Sequence, residues 1–515
     1  MTESALHNLL SEPVFGVCDP AGVRSKYSLP AVLAALDAAD PLEFTGLRAH
    51  QMHPWHAFLC QLAAAAIHAS GESMSRPRTE QNWSEMLLGL TNGASEPWCL
   101  VVPDLTLAAF FQPPVPEGTL AAFKNATEQP DILDVLVTAK NHDVKRRRAG
   151  HPAGEHWAYS LVSLQTGDGF AGRSNYGIAR MNGGYGTRVC VTTAASDSWP
   201  VRFRRDTDLL LAERSRIVGE FDYRDSGGNL LLWLLPWDGS SAVELSTCDP
   251  LFIEICRRVR LEARDSKIVA RYTGTEMQRT VTTETKGNVG DPWVPIRVDD
   301  GAALTPKSLS YSTLQSVLFG AEYRPSPASR PQATDGEFPM IVVRFLVRGQ
   351  GGTEGYHERS IPCPPRVRRL LATPDGRMRL GSLARDRVEM VAAARRKMLK
   401  PAVAALLQGA PDRLNFDDER ADRICQDLDR DVDRIFFSQL FADLELDANA
   451  AKRIWSKQLF DICSTILERA IHAVPVPDAR RYKAISAAEA VLRESARKNF
   501  PDVFDEPIRG ISDVA

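Results

Sequence analysis

The chain has 515 residues, of which 62 are Lys or Arg and 65 are Asp or Glu, so its formal net charge is −3. Apolar residues make up 44% of the chain and charged residues 25%, which are ordinary fractions for a globular protein. This composition excludes a collagen, a disordered chain and a small disulfide scaffold, and the length predicts several domains. Because the charges nearly cancel, a strongly basic stand-alone nucleic-acid binder is also excluded. Any contact with nucleic acid is expected to use local patches.

The nine cysteines are odd in number, and no two of them are separated by only two residues. This pattern predicts buried free thiols in a reducing compartment and no zinc site. The first twelve residues, MTESALHNLLSE, lack the basic and apolar regions of a secretion signal. The longest mainly apolar run, at 58–67, is too short to span a bilayer. The sequence therefore predicts a cytoplasmic protein without a membrane segment.

The strongest helical pattern in the first part of the chain lies at 53–69, where apolar residues recur at helical spacing. Histidines crowd the start of this helix, at His50, His53 and His56, and His68 lies near its end. No carboxylate or cysteine repeats their spacing. We therefore interpret them as ordinary helix-end histidines rather than metal ligands.

From about residue 70 to residue 380, short helices, short strands and long loops alternate, and the apolar segments at 230–237 and 340–347 predict buried strands. The pattern then changes to amphipathic helices at 383–408, 417–445, 449–473 and 479–498. Pro401 is expected to kink the first of these helices or to divide it. Short connectors between them predict a bundle. The predicted fold class is α+β, with a mixed N-terminal domain of short strands and long loops (1–380) and a C-terminal four-helix bundle (381–515).

Familiar catalytic motifs are missing from the sequence, which has no phosphate loop, no HExxH and no GxSxG. The glycine-rich stretch MNGGYG at 181–186 does not match GxGxxG. His142 and Asp143 could belong to a nuclease, yet no second acidic cluster with metal-ligand spacing accompanies them. The sequence therefore favours a binding protein that is not an enzyme and that uses no cofactor and no metal.

Basic residues cluster in segments that we interpret as loops, at 145–148, 202–205, 257–260 and 366–369. Any one cluster is more often a solvated surface, but four in a net-acidic chain favour nucleic-acid contact because they focus positive charge. Two glycine-rich loops, at 167–177 (GDGFAGRSNYG) and 348–355 (RGQGGTEG), would let the backbone approach a groove or a phosphate closely. Flexible surface loops remain the alternative interpretation of both.

The order of these features resembles the large subunit (CasA family) of Cascade, the type I-E CRISPR surveillance complex. The resemblance runs through NLL, SLPAVLA, the helix at 53–69, TAKNHDVKRR, GFAGRSNYG, WLLPW, CDP, RYTG, RFLVRGQGGTEGYHERSIPCP and the closing bundle. It implies a non-catalytic protein that inspects duplex DNA for the protospacer-adjacent motif (PAM), helps to part the strands and docks a helicase-nuclease. Pairing with the guide RNA reads the rest of the target sequence.

The resemblance also implies which residues contact DNA, and these are Gly169, Phe170, Ala171, Gly172, Arg279, Lys286, Gln350 and Gly351. The first four match the family's glycine-rich minor-groove loop, in which Ala171 replaces a family glycine. Arg279 matches the basic finger that follows RYTG, with Lys286 as the alternative if the loop is shifted. Gln350, followed by Gly351, matches the glutamine wedge beside the motif. Contacts in the minor groove distinguish mainly A·T from G·C pairs.

The partners that the resemblance implies are the 5′ handle of the guide RNA, target double-stranded DNA, the backbone and small subunits of Cascade, and the helicase-nuclease. The implied contacts with the RNA and a neighbouring subunit are Asn141, His142, Lys145, Arg146 and Arg147. Where some members carry a cysteine cluster after CDP, only Cys256 follows here, so no zinc is expected. Two alternatives stay open: a metal-dependent nuclease that uses His142 and Asp143, and a protein-binding scaffold whose basic loops only aid solubility.

Overall fold

The structure, a computed structural model, forms two compact units. The first consists of Met1–Leu309 and Tyr323–Cys363, and the second of Ser310–Glu322 and Pro364–Ala515. The described residues are 6–134, 152–184, 186–194, 198–265, 267–281, 284–305, 309–332, 340–349, 352–410, 413–475 and 478–504. No helix in these ranges is both long enough and apolar enough to cross a membrane.

The first unit mixes helices with strands, most of which are short. Its helices are α1 (Leu29–Asp37), α2 (Met52–Ser70), α3 (Glu80–Leu90), α4 (Gly154–Gly167) and α5 (Trp199–Glu220). Its strands are β1 (Leu6–Asn8), β2 (Phe15–Cys18), β3 (Arg24–Tyr27), β4 (Glu43–Phe44), β5 (Cys99–Val101), β6 (Asn125–Thr127), β7 (Cys190–Ala194), β8 (Asn229–Leu231), β9 (Cys248–Ile253), β10 (Arg258–Arg264), β11 (Lys267–Thr273), β12 (Ile296–Arg297), β13 (Tyr323–Arg324), β14 (Met340–Gly349) and β15 (Gly352–Pro362). This mixture confirms the predicted α+β fold class.

Helix α2 forms the centre of the first unit because it is apolar almost all the way round. Trp55, Phe58 and Leu62 are fully buried, and α2 packs against α4 and α5. The helix ends at Gly71, whose φ of +69° is the left-handed conformation that closes many helices. Its ends extend the predicted range of 53–69 by one residue on each side.

The histidines around the start of α2 are buried, which differs from their interpretation as ordinary helix-end residues. His50 Nε2 lies 2.9 Å from a carboxylate oxygen of Asp134, and His56 Nε2 lies 2.9 Å from Asp206 Oδ2. His53 is buried as well, and this burial holds its pKa well below the usual value. These rings therefore belong to the core of the unit.

Two small sheets position the candidate site. Strand β14 pairs antiparallel with β15 on one side and with β7 on the other, where the register runs from Met340 with Ala194 to Arg344 with Cys190. In the second sheet, β11 lies between β10 and β6. Two segments of the chain form the candidate site: the segment that leads into β7 and the segment that follows β11. Each segment is attached to one of these sheets, so the sheets fix the positions of both segments.

The predicted strand at 230–237 is only partly a strand. Strand β8 ends at Leu231 and a 3₁₀ turn at Leu232–Leu234 follows. The apolar run therefore leaves the sheet after Leu231, and Pro236, which has no N–H to donate to a ladder, does not favour a return to it. The predicted strand at 340–347 lies within β14.

The second unit is helical, which confirms the predicted helical bundle. Its helices are α6 (Tyr311–Phe319), α7 (Pro365–Leu371), α8 (Pro374–Ala394), α9 (Lys400–Leu407), α10 (Glu419–Asp443), α11 (Ala448–Ala473) and α12 (Asp478–Asn499). The sequence places the boundary at 380, whereas this unit begins at Pro364 and also contains Ser310–Glu322. Residue 380 itself lies inside α8, because Pro374 suits the first turn of this helix behind the capping side chain of Thr373.

Pro401 is accommodated without a loop. A π-helical segment, Arg395–Leu399, joins α8 to α9, and Pro401 lies in the first turn of α9. A π turn is wider than an α turn, so it relieves the clash between a proline ring and the carbonyl group one turn earlier.

A buried ion pair links two helices of the bundle. Arg387 of α8 and Asp443 of α10 are 4% and 3% exposed, and two guanidinium nitrogens lie 3.0 and 2.9 Å from one carboxylate oxygen. Gln439 Nε2 donates to the other oxygen of Asp443 at 2.8 Å. The pair therefore sets the position of α8 against α10.

We predict that Arg387→Ala destabilises the bundle by about 3–5 kcal/mol, because Asp443 stays buried without its partner. Urea denaturation followed by circular dichroism measures the free energy of unfolding. The matched control, Arg430→Ala, removes an exposed arginine that pairs with Asp427, and it should leave that free energy nearly unchanged. Equal effects of the two substitutions would show that the buried pair has no special role.

Candidate nucleic-acid interface

The glycine-rich loop at 167–177 starts where α4 ends, and backbone hydrogen bonds hold it in place. Gly169 N donates to Gly186 O at 2.9 Å, and Phe170 N donates to Gly184 O at 3.0 Å. The loop thus lies along the segment that leads into β7. These bonds favour a shaped element over the alternative of a loose surface loop.

The glycines of this loop have two different uses. A Cβ at Gly169 would lie 2.8 Å from Gly184 O, and a Cβ at Gly177 would lie 2.5 Å from the carbonyl carbon of Gly169, so the loop's own packing requires both glycines. Gly172 differs, because its φ is +109° and nothing lies within 4 Å of the place where a Cβ would be. Gly172 therefore leaves open space through which another molecule can reach the backbone.

Arg257 fastens the loop from behind. Its buried guanidinium lies 2.8 Å from the Asp168 carboxylate and donates to the carbonyl oxygens of Gly169, at 2.9 Å, and Tyr176. Gln165 of α4 fixes Arg257 in turn, since Gln165 Oε1 accepts from Arg257 N at 2.8 Å. Hydrogen bonds from a charged donor are among the stronger ones in proteins, so one cation joins the two ends of the loop.

The segment that follows β11 lies against the same loop. Thr275 N donates to Ser174 O at 2.9 Å, and Gln278 Nε2 donates to Gly177 O at 3.0 Å. A Cβ at Gly274 would lie 2.7 Å from Ser174 Cβ, so the glycine of RYTG permits this close approach. Two loops that the sequence predicted as DNA contacts therefore meet.

Lys286 reaches the surface farther along this segment. Its side chain is 46% exposed, and its Nζ donates to the carbonyl oxygen of Asp300 at 3.2 Å. The next residue, Gly287, packs closely on the chain, since a Cβ there would lie 2.6 Å from Asn182 N. This contact brings Lys286 next to Asn182.

Arg279, which the sequence preferred as the basic finger, is buried. It is 3% exposed, its guanidinium carbon lies 5.1 Å from the Trp237 ring centre, and Nη2 donates to the carbonyl oxygens of Leu235 and Pro236 at 3.2 Å each. Burial lowers its pKa to about 10, so it remains charged at neutral pH. In this position Arg279 stabilises the first unit, and Lys286 is the cation of the two that meets solvent.

These segments border an open groove of about 380 Å³. Residues that line it include Gly169, Phe170, Tyr176, Asn182, Gln278 and Lys286. Three of them, Gly169, Phe170 and Lys286, were predicted as DNA contacts from the sequence. Of the other three, Tyr176 lies in the glycine-rich loop at 167–177 that the sequence had already indicated, whereas Asn182 and Gln278 were missed. For Asn182 the available indication was a second glycine-rich segment, MNGGYG.

The hairpin of β14 and β15 continues from the sheet that contains β7. Its strands pair up to Gly349 with Gly352, and its stem residues Arg344 and Tyr356 border a small cavity together with Gly167. The remaining predicted site residues lie outside the described residues, namely Gln350, Gly351, Asn141, His142, Lys145, Arg146 and Arg147. Their contacts stay predictions.

Two of the predicted basic surface clusters are buried except for Arg204, whose side chain is 34% exposed. Each of the following residues is at most 7% exposed: Arg202, Arg205, Arg257, Arg258 and Arg260. The interpretation of these clusters as exposed loops is wrong, because they lie in α5 and in or beside β10. Arg260, for example, donates to the carbonyl oxygens of Val102 and Leu107 at 3.0 and 2.9 Å. Such arginines satisfy backbone groups that would otherwise be buried without partners.

A cysteine–histidine–aspartate cluster in the first unit is buried as well. Cys60 Sγ lies 3.6 Å from His56 Nε2, the same ring nitrogen that faces Asp206. A nucleophilic triad uses the two ring nitrogens separately, and burial raises the pKa of the Cys60 thiol well above its usual value. The cluster is therefore structural. Within the described ranges, no group of three His, Cys, Asp or Glu side chains is arranged to hold a metal.

We predict that Arg257→Met loosens the glycine-rich loop, because Asp168 loses its cation and two carbonyl oxygens lose their donor. The amides of Gly169 and Phe170 should exchange with solvent about tenfold faster or more, as measured by hydrogen–deuterium exchange. Arg264→Met, which removes an exposed arginine at the end of β10, is the matched control. Exchange rates that are the same in both variants would rule out Arg257 as the residue that fastens the loop.

No protein-family model and no curated protein sequence matches the chain. Solved structures do match it. CasA (Cse1) from Thermus thermophilus is 14% identical with a TM-score of 0.57, and the match covers 96% of this chain and 100% of that chain. Cse1 from Acidimicrobium ferrooxidans is 15% identical with a TM-score of 0.59, covering 97% of this chain and 99% of that chain.

A chain of a CRISPR RNA-guided surveillance complex matches as well, at 13% identity and a TM-score of 0.58, covering 95% of this chain and 100% of that chain. At these identities the likeness concerns the fold. The structural likeness extends over nearly the whole of each chain, so it covers both the mixed unit and the helical unit. The chain therefore has the fold of the CasA (Cse1) proteins, which confirms the fold expected from the sequence resemblance.

Proposed function

We propose that this chain is the large subunit of a type I-E CRISPR RNA-guided surveillance complex, and that it recognises the PAM in duplex DNA without catalysing a reaction. The fold shared with CasA (Cse1), and with a chain of a surveillance complex, supports the subunit assignment. The order of the sequence features supports it independently. The proposed recognition of the PAM is supported by the groove between the loop at 167–177 and the segment that follows β11.

The observation that carries the DNA-binding part is the meeting of two loops at one groove. Gln278 and Gly177 are 101 residues apart in sequence, yet Gln278 Nε2 donates to Gly177 O. The resemblance assigned these loops to the minor groove of DNA from sequence order alone. Their close contact, with Phe170 and Lys286 on the same groove, is an independent reason to treat them as one binding site.

The groove offers the chemistry that a DNA minor groove requires. The minor groove of DNA concentrates negative potential, which suits the ammonium group of Lys286. It is also narrow, which suits the tip of the neighbouring loop at Gly172, a residue outside the groove lining that has no side-chain bulk. Asp300, the partner of Lys286 in the free protein, also pairs with Arg297 at 2.7 Å. Asp300 therefore keeps a cationic partner when Lys286 turns toward DNA.

The remaining predicted residues complete the proposal. Gln350 and Gly351 insert beside the motif and help to separate the strands. The contacts with the 5′ handle of the guide RNA and a backbone subunit are assigned to Asn141, His142, Lys145, Arg146 and Arg147. The helical bundle contacts small subunits, and a separate helicase-nuclease docks on the complex and cuts the target.

We predict that Lys286→Ala weakens duplex binding and reduces the slope of log affinity against log salt concentration by about 0.9, because one fewer counterion is released. The measurement uses the complex obtained by co-expressing the chain with its genomic neighbours and a guide, titrated with a duplex at several salt concentrations. Lys267→Ala is the matched control, since Lys267 is an exposed lysine that pairs with Glu128 and is not among the groove residues.

Two results would count against the proposal in different ways. If the chain does not copurify with a guide-bound complex, the subunit assignment is wrong. If the chain copurifies but the salt slope is the same in Lys286→Ala and Lys267→Ala, the groove is not the DNA-binding site.

A further inference from the structure

A second glycine-rich turn borders the groove beside the loop at 169–172. Asn182, Gly183 and Gly184 are exposed, and the two glycines have φ values of +59° and +80°. Glycine adopts such angles without steric cost, so the chain turns sharply there. Asn182 is therefore the side chain that this three-residue turn presents to the groove.

The backbone around Asn182 is held from both sides. Gly184 O accepts from Phe170 N at 3.0 Å, and Met181 is buried beside Ile178. Gly287 packs against Asn182 N from the segment that carries Lys286. A side chain on such a fixed backbone needs little further ordering when it binds a partner.

The amide group of Asn182 is available for a partner. It is solvent-exposed and makes no hydrogen bond with any residue that the structure describes. An amide carries both donors and an acceptor, whereas the ammonium group of Lys286 only donates. In the DNA minor groove, A·T pairs present acceptors alone, and G·C pairs add the guanine amino donor. A side chain that both donates and accepts can respond to this difference.

We propose that Asn182 hydrogen-bonds to base edges in the minor groove of the motif and helps to distinguish A·T from G·C at one position. This inference rests on the proposed function of the groove. Lys286 supplies sequence-independent attraction, and Asn182 supplies part of the discrimination. The second glycine-rich turn thus acts as a recognition element together with the loop at 169–172.

The test measures how well the guide-bound complex distinguishes duplexes that differ at single motif base pairs. A panel changes each motif pair between A·T and G·C, and dissociation constants are measured for the wild type and for Asn182→Ala. We expect Asn182→Ala to lower the preference at one position by about fivefold, the worth of one hydrogen bond, and to leave the salt slope unchanged because no charge is removed.

Asn125→Ala is the matched control, because Asn125 is an exposed asparagine in β6 that is not among the groove residues. Both substitutions lie at exposed positions, and thermal unfolding checks that both variants fold. A preference in Asn182→Ala equal to that of Asn125→Ala and the wild type overturns this inference while leaving the proposed function intact. A wild-type complex that shows no motif preference overturns the proposed function itself.

Discussion

The candidate interface depends on one buried cation, Arg257. A loop with four glycines in eleven residues loses much conformational entropy when it adopts one shape. The guanidinium of Arg257 offsets this loss by bonding, in a buried position, to Asp168 and to two loop carbonyl oxygens. Gln165 of α4 accepts a hydrogen bond from the backbone of Arg257, and Arg257 in turn bonds to the loop. The position of the loop is therefore fixed relative to the buried helix α4.

This arrangement explains how a glycine-rich loop can be both shaped and accessible. Glycines at the base of the loop, such as Gly169, are required by its internal packing, which leaves no room for a Cβ. Gly172, at the tip, faces open space. The segment after β11 supports the same loop and brings a cation, Lys286, to the groove. In the proposed function, binding of a duplex would therefore require little rearrangement of the backbone. The charged part of the candidate site is small, in keeping with a chain of nearly balanced charge.

Much of the fold could be predicted from the sequence because helical periodicity is a local property. The helices predicted for the bundle and α2 begin and end within a few residues of the predicted positions, except that α8 starts earlier, at Pro374. The two short helices α6 and α7 of the second unit were not predicted. Burial of arginines could not be predicted, because it depends on carbonyl groups far away in sequence. Arg260 bonds to Val102, 158 residues earlier, and nothing in the run of basic residues indicates that partner.

The same limit applies to the site. The order of the sequence features predicted Gly169, Phe170 and Lys286 as DNA contacts. Which of Arg279 and Lys286 is the exposed cation could not be predicted, because Arg279 is buried against Trp237, a residue distant in sequence. Asn182 lies in MNGGYG, which matches no known motif, and it becomes a candidate because its turn borders the groove and Gly287 packs against its backbone.

The central claim is that the loop at 169–172, the turn at Asn182–Gly184 and Lys286 form one duplex-binding surface. Hydrogen–deuterium exchange of the guide-bound complex, with and without a duplex that carries the motif, tests it most directly. We expect these three segments to become protected together at saturating duplex, while amides in β3 keep their rates. Full binding of the duplex with unchanged exchange in all three segments would contradict the claim.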